Sequence, residues 1–215
     1  MTCDRRQILA ALAVSAVAGP AFAQRPQIAP LSDDDQALVD KAAAYLQDLT
    51  EAKGRFTQTD ARGVVTRGEI YLKRPGKARF AYDAPSNMLV VADGNSVSVA
   101  NPQLKTFDRY PLMATPLSIF LARKIRLDKG IVISAVGHQA DGFTITARDG
   151  HKQAEGQIIL AFSDSPLALT GWTVTDAQGQ ATRVRLSGLQ RTSGLPRSLF
   201  ELADPRVKNG MRVKM

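Results

Sequence analysis

Cysteine is almost missing from this 215-residue chain, Cys3 being the only one. Cys3 precedes an apolar run, whereas a lipid-attachment cysteine would follow one, so it reads as part of a leader. The remainder then has no thiol, no disulfide and no thiolate metal ligand. Histidine is nearly as scarce: His138 and His151 fall near predicted turns without a His or carboxylate at metal-ligand spacing. The sequence holds no Gly-x-Ser-x-Gly elbow and no phosphate-cradling glycine-rich loop. Asp83, Asp93, Asp141 and Asp149 sit where turns call for a short carboxylate. These absences point away from an enzyme and from any cofactor or metal. Beyond the N-terminus no apolar run approaches the roughly 18 residues of a membrane-spanning helix. No repeat of about 20–50 residues and no alternation of strand and helix is evident.

What is present begins with an export leader. Arg5-Arg6 supplies a positive start, Ile8 to Ala18 an apolar stretch and Ala21-Phe22-Ala23 a cleavage site, so residues 1–23 read as a signal peptide and 24–215 as one domain. The general secretory route is favoured, with twin-arginine export as the alternative. Removal of Arg5, Arg6 and Asp4 would lower the formal charge from +8 to +7. That surplus reads either as a solvated surface or as attraction to anionic headgroups or an acidic partner. Nucleic acid is not an expected partner, because the basic residues are dispersed. With 44% hydrophobic residues the chain can fill a real core.

After a Pro-containing tether, Ser32 is a good N-cap, with Asp33 and Asp34 at the positive helix end and Asp35 completing an approximate capping box. Leu38, Ala42, Tyr45, Leu46 and Leu49 fall three or four apart, predicting a helix over 33–49 with one apolar stripe. A strand at 54–59 leads into the stretch 68–110, where Ile70 and Leu72, then Phe80 and Tyr82, stand two apart and Val97 and Val99 alternate with Ser96 and Ser98. Asp93-Gly94-Asn95 gives a strong hairpin signal. Thr115-Pro116 can start a short helix to about Arg123 whose Leu117, Ile119, Phe120 and Leu121 cover more than one side. Strands are then predicted at 131–136, 143–148, 157–162, 167–175, 182–189 and near 199–202. About eleven strands and two helices imply a large curved antiparallel sheet covered by helices. On such a sheet Phe56, Ile70, Leu72, Phe80, Tyr82, Leu89, Val91, Val97 and Val99 are either core or the lining of a partly filled cavity. Alternation alone leaves both readings open.

The same stretch carries a resemblance. Lys73-Arg74-Pro75, Arg79-Phe80-Ala81-Tyr82-Asp83-Ala84-Pro85, Leu89-Val90-Val91-Ala92-Asp93-Gly94 and Asn101-Pro102-Gln103-Leu104 occur in the order of the core signature of the LolA-like outer-membrane lipoprotein carrier proteins. The sequence resembles that family from Phe56-Thr57-Gln58 to the region of Phe200. The resemblance implies a mainly β fold, an incomplete antiparallel β-barrel with helical lid segments over an apolar concave face. It also implies a monomeric periplasmic chaperone without cofactor. Such a chaperone would take triacylated lipoproteins from an inner-membrane ABC-type lipoprotein-releasing complex to an outer-membrane lipoprotein acceptor. It tips the nine apolar residues toward a cavity, makes Leu117, Ile119, Phe120 and Leu121 the lid helix, and makes Arg74 the arginine that locks the lid. Val97 and Val99 depart from the family, which often has aromatic residues there. A carrier of free lipids or glycolipids on the same fold is the alternative. A lipoprotein-sensing interaction module would bring a further C-terminal domain, which the sequence to Met215 is not expected to hold.

Overall fold

The structure is a computed structural model that describes residues 30–115, 117–125, 131–150, 156–204, 207–208 and 211–212. The leader expected at 1–23, Pro116, Arg126 and His151 lie outside the described residues. Helix α1 (Asp33–Asp48) starts as its sequence dictates, with the Ser32 hydroxyl accepting from the Asp35 amide at 3.1 Å. The Asp35 carboxylate does not complete the capping box. It meets His138 Nε2 at 2.7 Å instead, joining the start of α1 to a distant strand.

Strands follow as β1 (Glu51–Thr59), β2 (Val65–Lys73), β3 (Lys77–Tyr82), β4 (Leu89–Asp93), β5 (Ser96–Asn101) and β6 (Thr106–Pro111). A 3-10 turn (Leu112–Ala114) and the short helix α2 (Leu117–Leu121) come next. The chain then forms β7 (Ile131–Gln139), β8 (Gly142–Asp149), β9 (Gln157–Asp164), β10 (Leu167–Thr175) and β11 (Ala181–Arg191). All eleven pair antiparallel in one open sheet of order β6-β5-β4-β3-β2-β1-β11-β10-β9-β8-β7. The eleven strands and the open sheet agree with the sequence reading. The strand expected near 199–202 is absent: Arg197–Phe200 is a 3-10 turn that lies across the sheet rather than pairing with it. Two residue pairs, Val207–Lys208 and Met211–Arg212, make a separate small hairpin.

The strand order has one consequence that governs everything else. β6 and β7 are consecutive in sequence but form opposite edges of the sheet, so their connection has to cross a face. That connection contains α2, and it crosses the same face that α1 covers. Val39, Ala42 and Leu46 of α1 and Ile119, Phe120 and Leu121 of α2 join one apolar cluster with Phe56, Ile70, Leu72, Phe80, Leu160 and Trp172 of the sheet. The turns follow local chemistry: Asp93 Oδ1 accepts the Asn95 and Ser96 amides at 2.8 Å each, and Gly94 takes φ 110°.

Gly68 shows how tightly this face is packed. A Cβ there would lie 2.2 Å from the Ala81 carbonyl oxygen and 2.8 Å from the Phe56 ring, so only glycine lets that ring lie across β2. Phe56 is 1% exposed. Replacing it with alanine removes a large buried ring from the centre of the sheet and should cost about 3–5 kcal/mol. Urea unfolding of Phe56→Ala measures this, and a loss under about 1 kcal/mol would show that the ring is not close-packed.

Candidate functional site

α2 is five residues long and cannot satisfy its own last carbonyls. The surroundings do so in sequence order. The Gly76 amide donates to the Leu121 carbonyl at 2.8 Å, and Arg74 Nη2 donates to the Ala122 carbonyl at 2.7 Å. Gln47 of α1 uses both ends of its amide: Nε2 donates to the Arg123 carbonyl at 3.3 Å, and Oε1 accepts the Ile125 amide at 2.9 Å. Three consecutive carbonyls are thus held by the β2–β3 turn on one side and by α1 on the other. Arg74 is the residue that the resemblance singles out. Only one of its guanidinium bonds is made; Nε and Nη1 are buried without a partner, and burial lowers its pKa. A cleft of about 590 Å³ lies where Leu112, Met113 and Ala122 meet Gly76 and Gly94.

Beneath α2 runs a line of rings. Phe120 lies 5.5 Å from Trp172, Trp172 6.0 Å from Phe80, Phe80 5.5 Å from Phe56, and Phe56 5.0 Å from Tyr82, mostly edge to face. Cross-strand partners share a face, and the register sorts the nine expected lining residues. Phe56, Ile70, Leu72, Phe80, Tyr82, Val97 and Val99 point to the helix-bearing face, since Ile70 pairs with Phe80 and Val90 pairs with Val99. Leu89 and Val91 do not. They pair with Ala81 and Arg79, which project from the opposite side, and Val91 packs there with Leu195 and Phe200. Val90, Ala92 and Met88 take their place on the inner side. All four expected helix residues contact the inner cluster, with Ile119, Phe120 and Leu121 buried and Leu117 partly buried.

Residues 47–203 match the family model described as "Outer membrane lipoprotein carrier protein LolA". The chain belongs to the LolA family. Curated relatives named "Outer-membrane lipoprotein carrier protein" include one from Bordetella avium, 28% identical over 210 residues and covering 92% of each chain. Another from Dechloromonas aromatica is 26% identical over 183 residues, covering 78% of this chain and 84% of the relative. Among solved structures, a LolA superfamily protein from Nitrosomonas europaea superposes with a TM-score of 0.48 at 12% identity, over 78% of this chain and 97% of that one.

Two features of this LolA-family chain escape sequence reading. Gln47 is one; the other is the segment after β11, which crosses the face opposite the helices. Leu195, Leu199, Phe200 and Leu202 pack on Tyr71 and Val91. Lys73 donates to the Leu195 carbonyl at 2.7 Å, Arg79 to Leu199 at 3.1 Å and Arg109 to Leu202 at 3.4 Å. Glu51 accepts the Leu195 amide at 2.8 Å, a bond that holds its carboxyl below the usual range. Among the described residues no group of three or more His, Cys, Asp or Glu could hold a metal ion.

Among the described residues one group is strongly shifted, and it belongs to the last ring of that line. Burial pushes the Tyr82 hydroxyl up to about 12, against the pull of its 2.7 Å hydrogen bond to Gln58. The folded pKa exceeds the unfolded value of about 10, so the native state retains this proton where the unfolded chain loses it. The stability this contributes is complete below pH 10 and disappears as pH rises toward 12. Titration followed by tyrosinate absorbance should show Tyr82 as the last of the four tyrosines to ionise, after Tyr71, which its hydrogen bond to Glu69 also raises. Tyr82→Phe should remove that late step and nothing else.

Proposed function

We propose that this chain is a periplasmic carrier that holds the acyl chains of lipoproteins between the helix-bearing face and α2, and that α2 with its flanks acts as the lid. The observation that carries the reading is the crossing segment itself. It covers a continuous apolar face yet is tied down through its carbonyls by Gly76, Arg74 and Gln47, bonds that can break without dismantling the sheet. The names of the relatives support lipoproteins as cargo. In this reading the chain receives triacylated lipoproteins from an inner-membrane ABC-type releasing complex and delivers them to an outer-membrane acceptor, without catalysis. Residues 1–23 would direct export and 24–215 form the carrier.

Each methylene buried contributes roughly 0.8 kcal/mol, so a 16-carbon chain brings on the order of 12 kcal/mol against the ordering and lid-opening costs. Binding should therefore be saturable and reversible. A fluorescent fatty-acyl probe titrated into the protein checks this, and no saturable signal would end the carrier reading. Recovery of a free lipid of fixed mass from protein purified without detergent, in place of a lipoprotein, would favour the lipid-carrier alternative that the aliphatic Val97 and Val99 permit.

Arg74 is the proposed lid lock. Its bond to the Ala122 carbonyl exists only while the lid is closed, and a charged hydrogen bond contributes about 1.5–3 kcal/mol. Arg74→Leu removes it and leaves the rings in place, shifting the balance toward the loaded state by roughly 10- to 100-fold. Loading should survive and handover should stall. The readout is transfer of pre-loaded lipoprotein to the acceptor at matched loading and matched thermal stability. Equal transfer by the two proteins would reduce Arg74 to a structural strand end.

A further inference from the structure

The face that carries no helix divides in two. Over β2 to β6 it is covered by the 195–202 segment and its clamping cations. Over the hairpin end of β1 and β2 and over β8 to β11 no described segment packs on it, and here three arginines stand together. Register places Arg67 and Arg185 on either side of Thr57, and Val65 and Arg183 on either side of Thr59, all on one face. Adjacent strands lie about 4.8 Å apart and alternate residues about 7 Å apart, so the three side chains rise from a patch roughly 10 Å across. All three are exposed.

Among the described residues no carboxylate forms an ion pair with any of the three, whereas neighbouring charges are matched. Arg55 is paired with Asp83 and lies near Glu69, and Arg62 is paired with Asp60, which also holds the Val64 amide. Asp176 is engaged by the Gln178 and Gln180 amides in its own turn. Beside Arg183 and Arg185 a hollow of about 640 Å³ opens on the sheet, lined by Thr144, Thr170, Thr173, Ala161 and Gly171 among others and by no carboxylate. Gly171 forms part of this floor because a Cβ there would meet the Val184 carbonyl at 2.3 Å. At the border of the patch the β1–β2 hairpin ends in Val64 and Val65, 51% and 53% exposed. Among the described residues these two are among the few large apolar side chains left in water.

We propose that this bare half of the sheet is a docking surface for anionic phospholipid headgroups, separate from the acyl-binding face. Phosphates meet Arg67, Arg183 and Arg185, headgroup hydroxyls meet the threonine floor, and the tip valines enter the interfacial zone. An acidic protein would satisfy the arginines but gives no use to two exposed valines at a protruding turn. A lipid surface uses both features. The chain would remain peripheral, since three arginines and two valines give a reversible contact rather than an anchor. This inference does not depend on what the helix-bearing face holds.

The test is co-sedimentation of the cargo-free protein with phosphatidylglycerol vesicles and, in parallel, with phosphatidylcholine vesicles of the same acyl chains. Capture of lipid by the acyl-binding face would draw the protein equally to both. Docking by the arginine patch predicts binding to phosphatidylglycerol alone, falling as salt is raised. In Arg183→Glu/Arg185→Glu that binding should fall roughly 100-fold or more. Val64→Ser/Val65→Ser should weaken it several-fold without changing its salt dependence. The proposal is overturned if the wild type ignores phosphatidylglycerol, if it binds both vesicles alike, or if the arginine variant binds as the wild type does. In the first case an acidic protein becomes the occupant this face fits. Both substitutions are on exposed side chains, and circular dichroism with an unchanged unfolding midpoint confirms that each variant is folded.

Discussion

The interaction on which the rest of the structure depends is the capping of α2's last carbonyls by groups that belong to other elements. A sheet whose first six strands end at one edge and whose last five begin at the other requires a connection across its face. A five-residue helix in that connection exposes carbonyls it cannot satisfy. If they were left bare against an apolar face the segment would be expelled to water. Gly76, Arg74 and Gln47 take that role from two parts of the frame: the first two from the β2–β3 turn, and Gln47 from the last turn of α1. The segment can therefore lie on the rings of Phe80 and Trp172 through Phe120 while its ends remain hydrogen-bonded.

The two faces of the sheet are stabilised by different means. The helix-bearing face is a single apolar cluster that runs from Val39 to Val184. The opposite face has only a small cluster around Val91 and Phe200, and the segment over it is secured by Lys73, Arg79 and Arg109 donating to its carbonyls. Strand β4 is the element that serves both. Its Val90 and Ala92 face the helices while Val91 faces the 195–202 segment, which is why five consecutive residues from Met88 to Ala92 are all apolar.

That double duty explains where sequence reading succeeded and where it stopped. Strand β10 was legible to the residue because Pro166 precedes it and the Asp176–Gly179 turn follows. α1 was legible from Ser32 and the spacing of Ala42, Leu46 and Leu49. The β4–β5 hairpin was legible from Asp93-Gly94. The side to which Leu89 and Val91 point was not, because a run that is apolar on both faces has no alternation to read. The segment around Phe200 looked like a strand from its apolar content. It packs across a face after Pro196 instead of joining an edge, and nothing local distinguishes those outcomes. Gln47 was invisible for another reason: its partners are backbone groups 76 and 78 residues away, and backbone donors and acceptors carry no residue-type signature.

The choice of acceptors also sets how the lid can open in the proposed carrier. Arg74 binds a carbonyl rather than a carboxylate, so its acceptor has no proton to gain as pH falls. Gln47 and the Gly76 amide are uncharged and do not titrate either. Acidity is therefore a poor trigger, and a half-buried cation on a neutral acceptor is less sensitive to salt than an exposed ion pair. What can compete is apolar occupancy. At roughly 0.8 kcal/mol per methylene, about two to four methylenes offset one charged hydrogen bond. An acyl chain of ordinary length exceeds that several-fold. The buried and unpartnered Nε and Nη1 of Arg74 make the closed arrangement shallower still, since each is a desolvated donor that gains a partner only if the segment or solvent rearranges. In the proposed carrier, a lid fastened by a few neutral acceptors over a large apolar face would be opened by chain burial and would re-form its bonds when the chain leaves, so the occupant itself would supply the free energy of opening.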